Sequence, residues 1–223
     1  MIERGISFDG IHSYNDLDLI LSKVEIPPAM PKEEYIDLAG GNGSLDLSEV
    51  HGEVKYKDRE GCKFIFTMNP ANDLSDSAFE LKKTEVSNAL NGKYIEKITL
   101  DKDSAFYYQG RCKVDQYLSD RRIRQIVVTA RLKPYKYKQN KSISILTQLT
   151  SSEKTLTVKN SRMSVVPLIT CSANNTKVSF GSLATTLNAG THEILDFQLK
   201  QGDNLFKVSG SGTIKFEYQE GEL

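Results

Sequence analysis

At 223 residues, 39% of them hydrophobic, the chain is long enough for two modest cores or one large one and needs no disulfide or metal staple to fold. Lys plus Arg and Asp plus Glu number 29 each, so no net field draws it to nucleic acid or an anionic membrane, and no apolar run approaches the roughly 20 residues of a membrane span. The charge is nonetheless uneven: residues 1–50 hold ten acidic and three basic side chains, residues 111–141 ten basic and two acidic. Either these segments neutralise each other within one domain, or they form matching patches on neighbouring copies, since a ring needs two different complementary surfaces.

The opening Met1-Ile2-Glu3-Arg4-Gly5 lacks the regions of a secretion signal, and Cys62, Cys112 and Cys171 are odd in number and far apart. Both features predict a protein made and assembled in a cytoplasm with free thiols. Phe8-Asp9-Gly10-Ile11-His12-Ser13-Tyr14 leads into Leu17, Leu19 and Leu21, which share one strand face; Ser22-Lys23 then shifts the phase to Val24 and Ile26, as a β-bulge does. Pro27-Pro28 favours an exposed extended path.

Residues 32–47 hold two short strand segments, around Tyr35-Ile36-Asp37-Leu38 and Leu45-Asp46-Leu47, joined by Gly40-Gly41-Asn42-Gly43-Ser44. The glycines superficially suggest a phosphate loop, but no Gly-Lys-Ser/Thr ending follows and no helix opens there. The segment reads as a hairpin, with Asn42-Gly43 supplying the positive φ angles of its turn. Its place after two prolines predicts an arm reaching a neighbouring subunit, with Tyr35, Asn42, Leu45 and Leu47 in contact and Asp37 and Asp46 facing basic residues; a hairpin folded on its own sheet is the alternative.

Phe64, Phe66 and Met68 alternate as a strand. Residues 77–91 form the one substantial predicted helix: Ser77-Ala78-Phe79-Glu80 has the form of a capping box, Phe79, Val86 and Leu90 share a face, and Asn91-Gly92 is the stop. Arg121-Arg122-x-Arg124, near Tyr107, Tyr108 and Tyr117, has the composition of an RNA surface, but the neutral chain and the lack of a nucleic-acid fold signature favour a sheet edge or a subunit contact. Ile126, Val128, Ala130 and Leu132 alternate again, and the polar stretch Pro134-Tyr135-Lys136-Tyr137-Lys138 marks a boundary, giving domains at 1–138 and 139–223.

Beyond it, Leu195, Phe197 and Leu199, then Ile214, Phe216 and Tyr218, alternate between turn residues at Asn160-Ser161, Asn174-Asn175, Asn188-Ala189-Gly190, Gly202-Asp203-Asn204 and Gly210-Ser211-Gly212. Such spacing predicts a β-sandwich. His12, His51 and His192 form no metal pair, no nucleophile elbow or carboxylate pair stands out, and neither catalytic residues, metal ligands nor cofactor are expected.

In order and spacing, Phe8-Asp9-Gly10, Tyr35-x-Asp37, Gly43-Ser44-Leu45-Asp46-Leu47, Pro134-Tyr135-Lys136-Tyr137 and the closing Gly221-Glu222-Leu223 resemble the distal tail (Dit) family of long-tailed phages. The resemblance implies a mainly β protein: an N-terminal ring-forming sheet domain with one helix and a hairpin arm, then a galectin-like C-terminal sandwich whose last strand returns to the first domain. It also implies a homo-hexameric hub in the virion tail tip, between the major tail tube protein and a tip or baseplate protein, with DNA passing through unrecognised. A carbohydrate-binding adaptor for host cell-wall glycans is the alternative, weakened by the absence of Trp and by the small number of aromatic residues in 142–223.

Overall fold

Asp9 and Gly10 take φ values of 48° and 91°, the left-handed pair that a two-residue turn requires, so β1 (Ile6–Phe8) folds back on β2 (Ile11–His12) with Phe8 opposite Ile11. The Asp9 carboxylate accepts the backbone N–H of Lys97 at 2.7 Å and of Glu96 at 3.3 Å, fastening this turn to the next strand of the sheet. These contacts belong to the computed structural model of the chain, which describes residues 5–50, 52–71, 73–120, 123–146 and 148–223. The chain divides into two compact units, Met1–Lys136 with Leu223, and Tyr137–Glu222.

The first unit continues with β3 (Leu19–Glu25), β4 (Tyr35–Asp37), β5 (Ser44–Asp46), β6 (Arg59–Met68), α1 (Asp76–Leu90), β7 (Tyr94–Leu100), β8 (Phe106–Ser119) and β9 (Arg124–Leu132). Antiparallel pairing gives the order β2-β1-β7-β8-β9-β6-β3, with the expected bulge between Leu21 and Lys23. One face of the sheet is a core of alternating residues: Phe8 meets Phe64 and Phe66 edge-on at 5.9 and 6.2 Å, and Leu19, Ile126, Val128 and Leu132 are buried with them. Helix α1 buries Phe79, Val86 and Leu90.

The cap of α1 lies two residues before the predicted one. Ser75 rather than Ser77 is the N-cap; its hydroxyl accepts Ala78 N–H at 3.2 Å and donates to Asp73, which orients it. Ser75→Ala is therefore expected to cost about 1 kcal/mol in urea unfolding, and Ser77→Ala much less.

β10 (Lys136–Lys138) carries the chain across the division. The second unit then has β11 (Ser142–Leu146), β12 (Lys154–Asn160), β13 (Leu168–Cys171), β14 (Thr176–Phe180), β15 (Leu183–Leu187), β16 (Gly190–Glu193), β17 (Gly202–Ser209), β18 (Ile214–Tyr218) and β19 (Gly221–Glu222). Two four-stranded antiparallel sheets, β11-β18-β13-β16 and β12-β17-β14-β15, form a sandwich around an aromatic centre in which Phe206 stacks on Phe180 at 4.5 Å and meets Phe216 at 4.6 Å and Phe197 at 5.7 Å.

Two sequence expectations fail here. Leu195 is exposed: residues 194–197 form a turn closed by the Phe197 N–H on the Ile194 carbonyl at 2.9 Å, so no strand runs through them. Gly202-Asp203-Asn204 opens β17 instead of making a turn, because the buried Asn204 amide bonds the carbonyls of Lys200 at 2.8 Å and Val158 at 3.2 Å, a polar task that its residue type does not reveal.

Candidate functional site

β4 and β5 form a two-stranded sheet of their own, with every residue exposed. Two more bonds, Leu38 N–H to the Gly43 carbonyl at 3.3 Å and Leu47 N–H to the Glu34 carbonyl at 2.8 Å, extend the ladder at both ends. Its root is held: Lys32 N–H meets the Lys55 carbonyl at 2.7 Å and Lys57 N–H the Met30 carbonyl at 2.8 Å, with Pro31 bridged to Tyr56. Below the root the buried Arg59 joins the two proline segments, donating to the carbonyls of Pro134 at 2.9 Å and Pro27 at 2.8 Å. A lone hairpin is marginal in water, so this one is braced at its base and otherwise presented.

The register, Tyr35 opposite Asp46, Ile36 opposite Leu45 and Asp37 opposite Ser44, sorts the side chains by face. Tyr35, Asp37 and Asp46 point one way with Glu33; Ile36, Leu38, Leu45 and Leu47 point the other. Tyr35 and Leu45 are therefore on opposite faces and cannot share one contact, and the apolar partners of Leu45 are Ile36 and Leu38, which sequence reasoning passed over. On the acidic face, Asp46 and then Glu33 crowd the Tyr35 hydroxyl and hold its pKa above the usual tyrosine range. Among the described residues Glu33, Glu34, Asp37, Asp46 and Glu49 form no ion pair. Asn42 lies in the turn, where Gly40 and Gly43, not Asn42, take the positive φ.

The described ion pairs of the basic segment run to carboxylates outside residues 1–50. Arg131 pairs with Asp58 at 3.2 Å and Glu60 at 3.5 Å, Lys136 with Asp103 at 3.2 Å, Lys138 with Glu220 at 2.9 Å and Lys141 with Glu217 at 3.1 Å. Arg124, at the start of β9, is committed to α1 of the same unit, pairing with Asp76 at 2.5 Å and lying over the Phe79 ring. Arg121 and Arg122 lie outside the described residues.

On the sheet face away from the core, Arg111 stands directly opposite Arg131 and Lys113 opposite Thr129. Like charges facing across a ladder are unfavourable, and here each is compensated within the chain, Arg131 by Asp58 and Glu60 and Arg111 by the Gly92 carbonyl at 2.5 Å. The two strands border a groove of about 580 Å³ with Gly61, Gly110 and Ala130 among its lining and Tyr94, Arg111, Lys113 and Lys133 around it. Asp58, Glu60 and Arg131 also line a second hollow of about 340 Å³ that reaches Met30 and Lys32 at the root of the hairpin.

The described histidines and thiols are engaged locally. His12 Nδ1 accepts the N–H groups of Tyr14 and Asn15, both at 3.1 Å, which places its proton on Nε2, 3.2 Å from Asp101; this lone pair is occupied and the ring serves as a brace. His192 donates to the Asn188 carbonyl at 2.8 Å, and His51 is outside the described residues. All three thiols are buried, and burial pushes Cys62 up to about 11 and Cys112 up to about 12. Among the described residues no cluster of three or more His, Cys, Asp or Glu could hold a metal, and no helix is long and apolar enough to cross a membrane. In the second unit Phe197, Phe206, Phe216 and Tyr218 are buried and Phe180 stacks on Phe206, so these rings build the core and offer no sugar-stacking platform.

No family model matches the chain, and no curated protein matches its sequence. Its structure matches the crystal structure of the SPP1 Dit (gp 19.1) protein with a TM-score of 0.68 at 16% identity, over 96% of this chain and 98% of that one. The fold is that of Dit. The SPP1 protein is described as a paradigm of the hub adsorption apparatus in Gram-positive infecting phages, and the likeness of fold extends over both units of this chain.

Proposed function

We propose that the chain is a structural, non-enzymatic protein of a phage tail tip: six copies close a hub ring through the first unit, between the tail tube and the tip or baseplate proteins, and DNA passes through without being read. The fold likeness along nearly the whole chain to a hub protein carries this reading. The hairpin of β4 and β5 supplies the physical means. Its apolar face asks for an apolar cover and its acidic face for a basic one, and insertion between copies provides both. The contact is heterologous, which generates a closed ring when the rotation per copy closes.

Native mass spectrometry of the full chain at rising concentration is expected to show a species of six chains. Ile36→Asp with Leu45→Asp should remove it while leaving the monomer's thermal unfolding unchanged, because both side chains are already exposed, at 51% and 52%. A chain that stays monomeric at every concentration and is missing from the tail tips of purified virions would overturn the reading.

A further inference from the structure

The sequence holds two Asn-Gly dipeptides, Asn42-Gly43 in the turn between β4 and β5 and Asn91-Gly92 at the end of α1. We propose that Asn42 is a site of spontaneous covalent modification, deamidation through a cyclic imide, and that the fold protects Asn91 from the same reaction. In this chemistry the Gly43 nitrogen gives up its proton to solvent base and attacks Asn42 Cγ. The new C–N bond closes the imide, and the side-chain nitrogen takes up a proton and leaves as ammonia. Water then opens the ring. Addition at Cγ leaves an aspartate, whereas addition at the main-chain carbonyl leaves an isoaspartate, in which the backbone runs through Cβ and Cγ. Nothing is oxidised or reduced, and solvent water is the only co-reactant. The attacking nitrogen must be exposed, free of hydrogen bonds and able to swing toward Cγ, which a following glycine, lacking Cβ, allows best.

The structure meets these conditions at Asn42 alone of the two. Asn42 and Gly43 are exposed, and Gly43 takes a φ of 83° with nothing within 4 Å of the place a Cβ would occupy. The bonds of the turn bypass the reacting groups. Gly41 N–H donates to the Leu38 carbonyl at 3.1 Å and Leu38 N–H to the Gly43 carbonyl at 3.3 Å, while among the described residues neither the Gly43 N–H nor the Asn42 carboxamide takes a partner. Asn91-Gly92 is exposed as well, but its groups are engaged. Gly92 N–H donates to the Cys112 carbonyl at 2.9 Å, Asn91 Oδ1 accepts the Val114 N–H at 3.0 Å, and Asn91 N–H donates to the Ser87 carbonyl at 2.9 Å. The Asn91 ψ of 121° also turns the Gly92 nitrogen away from the side chain, whereas ring closure needs that nitrogen to eclipse Cβ. Sequence and exposure rank the two sites alike; hydrogen bonding separates them.

The product alters the hairpin tip. Either acid adds a carboxylate to a segment that already carries Asp37 and Asp46, and isoaspartate also inserts an extra backbone atom into the turn that the Leu38–Gly43 bond closes. A two-stranded ladder standing alone has little to resist that change.

Ageing the full chain, dilute and at mildly alkaline pH, tests this, with the products read by peptide mass spectrometry using electron-transfer fragmentation to tell aspartate from isoaspartate. Acid and isoaspartate are expected to accumulate at position 42 about tenfold faster or more than at position 91, which must open locally before it reacts. In concentrated urea the two rates should converge, because both sites are then the same dipeptide in an unfolded chain. Asn42→Gln should abolish the modification at position 42 and leave both the rate at Asn91 and the thermal unfolding unchanged. Equal rates at the two sites in the folded chain would overturn the proposal. So would an Asn42 that stays intact in the folded chain over a time in which it converts in urea.

Discussion

Gly110→Ala is expected to unfold the first unit. A Cβ at this position would stand 2.1 Å from the Arg131 carbonyl oxygen, 2.8 Å from the Leu132 Cα and 2.9 Å from the Arg131 carbonyl carbon. All three are backbone atoms of β9, the partner strand in the middle of the sheet, so no rotamer change relieves the clash and the ladder from Gly110–Leu132 onward must separate. Overpacking that side chains can absorb costs about 1–3 kcal/mol; this case should exceed 3 kcal/mol. Gly41→Ala is the control, because its added Cβ would meet nothing closer than Leu38 Cβ at 3.4 Å, in the exposed turn. Urea unfolding followed by hydrogen exchange at Ile126 and Val128 reports the first unit alone. Gly110→Ala within about 0.5 kcal/mol of wild type would show that β8 and β9 are spaced more widely than described.

The sheet could be read from sequence wherever one of its faces is buried. Leu17, Leu19 and Leu21, Phe64 and Phe66, and Ile126 to Leu132 alternate because the core accepts only every second residue, and the Ser22-Lys23 phase shift showed its bulge for the same reason. The hairpin was legible as a hairpin but its faces were not. Tyr35 and Leu45 are the conspicuous apolar residues of their segments, yet only the pairing of Ile36 with Leu45 shows which of them can act together, and that register is a property of the turn length. Ser75 was hidden behind Ser77 because both are plausible caps; Asp73, by binding the Ser75 hydroxyl, decides between them.

The groove was invisible for a different reason. Arg111 and Arg131 are twenty positions apart and meet only through a register that slips by one residue between Val114 and Gln116, so no local pattern announces them. The same holds for Arg59. Its three-way tie to Pro27, Pro134 and the Tyr108 ring explains why two proline segments distant in sequence behave as one support, but a lone arginine carries no such label.

Glu220 carries the other large effect. It is 7% exposed, and its carboxylate accepts the hydroxyls of Ser142 and Ser161 and the Lys138 ammonium at 2.9 Å. Burial pushes its pKa up, but the bonds from Ser142, Ser161 and Lys138 together outweigh it and hold the group below the usual glutamate range. A folded pKa below the unfolded one means that ionised Glu220 stabilises the second unit at and above neutral pH. That contribution declines as the pH falls below the ordinary glutamate value and is gone once the pH has passed the folded one. Glu220→Ala leaves two hydroxyls and an ammonium facing an emptied site and is expected to cost roughly 2–4 kcal/mol at pH 7. Glu220→Gln keeps the shape and loses the charge; its unfolding free energy, read from hydrogen exchange at Phe206 and Phe216, should fall less steeply than wild type between neutral and acid pH. Parallel slopes for the wild-type and Gln chains would mean that the carboxylate is ionised to the same degree folded and unfolded, and that Ser142 and Ser161 hold it by shape alone.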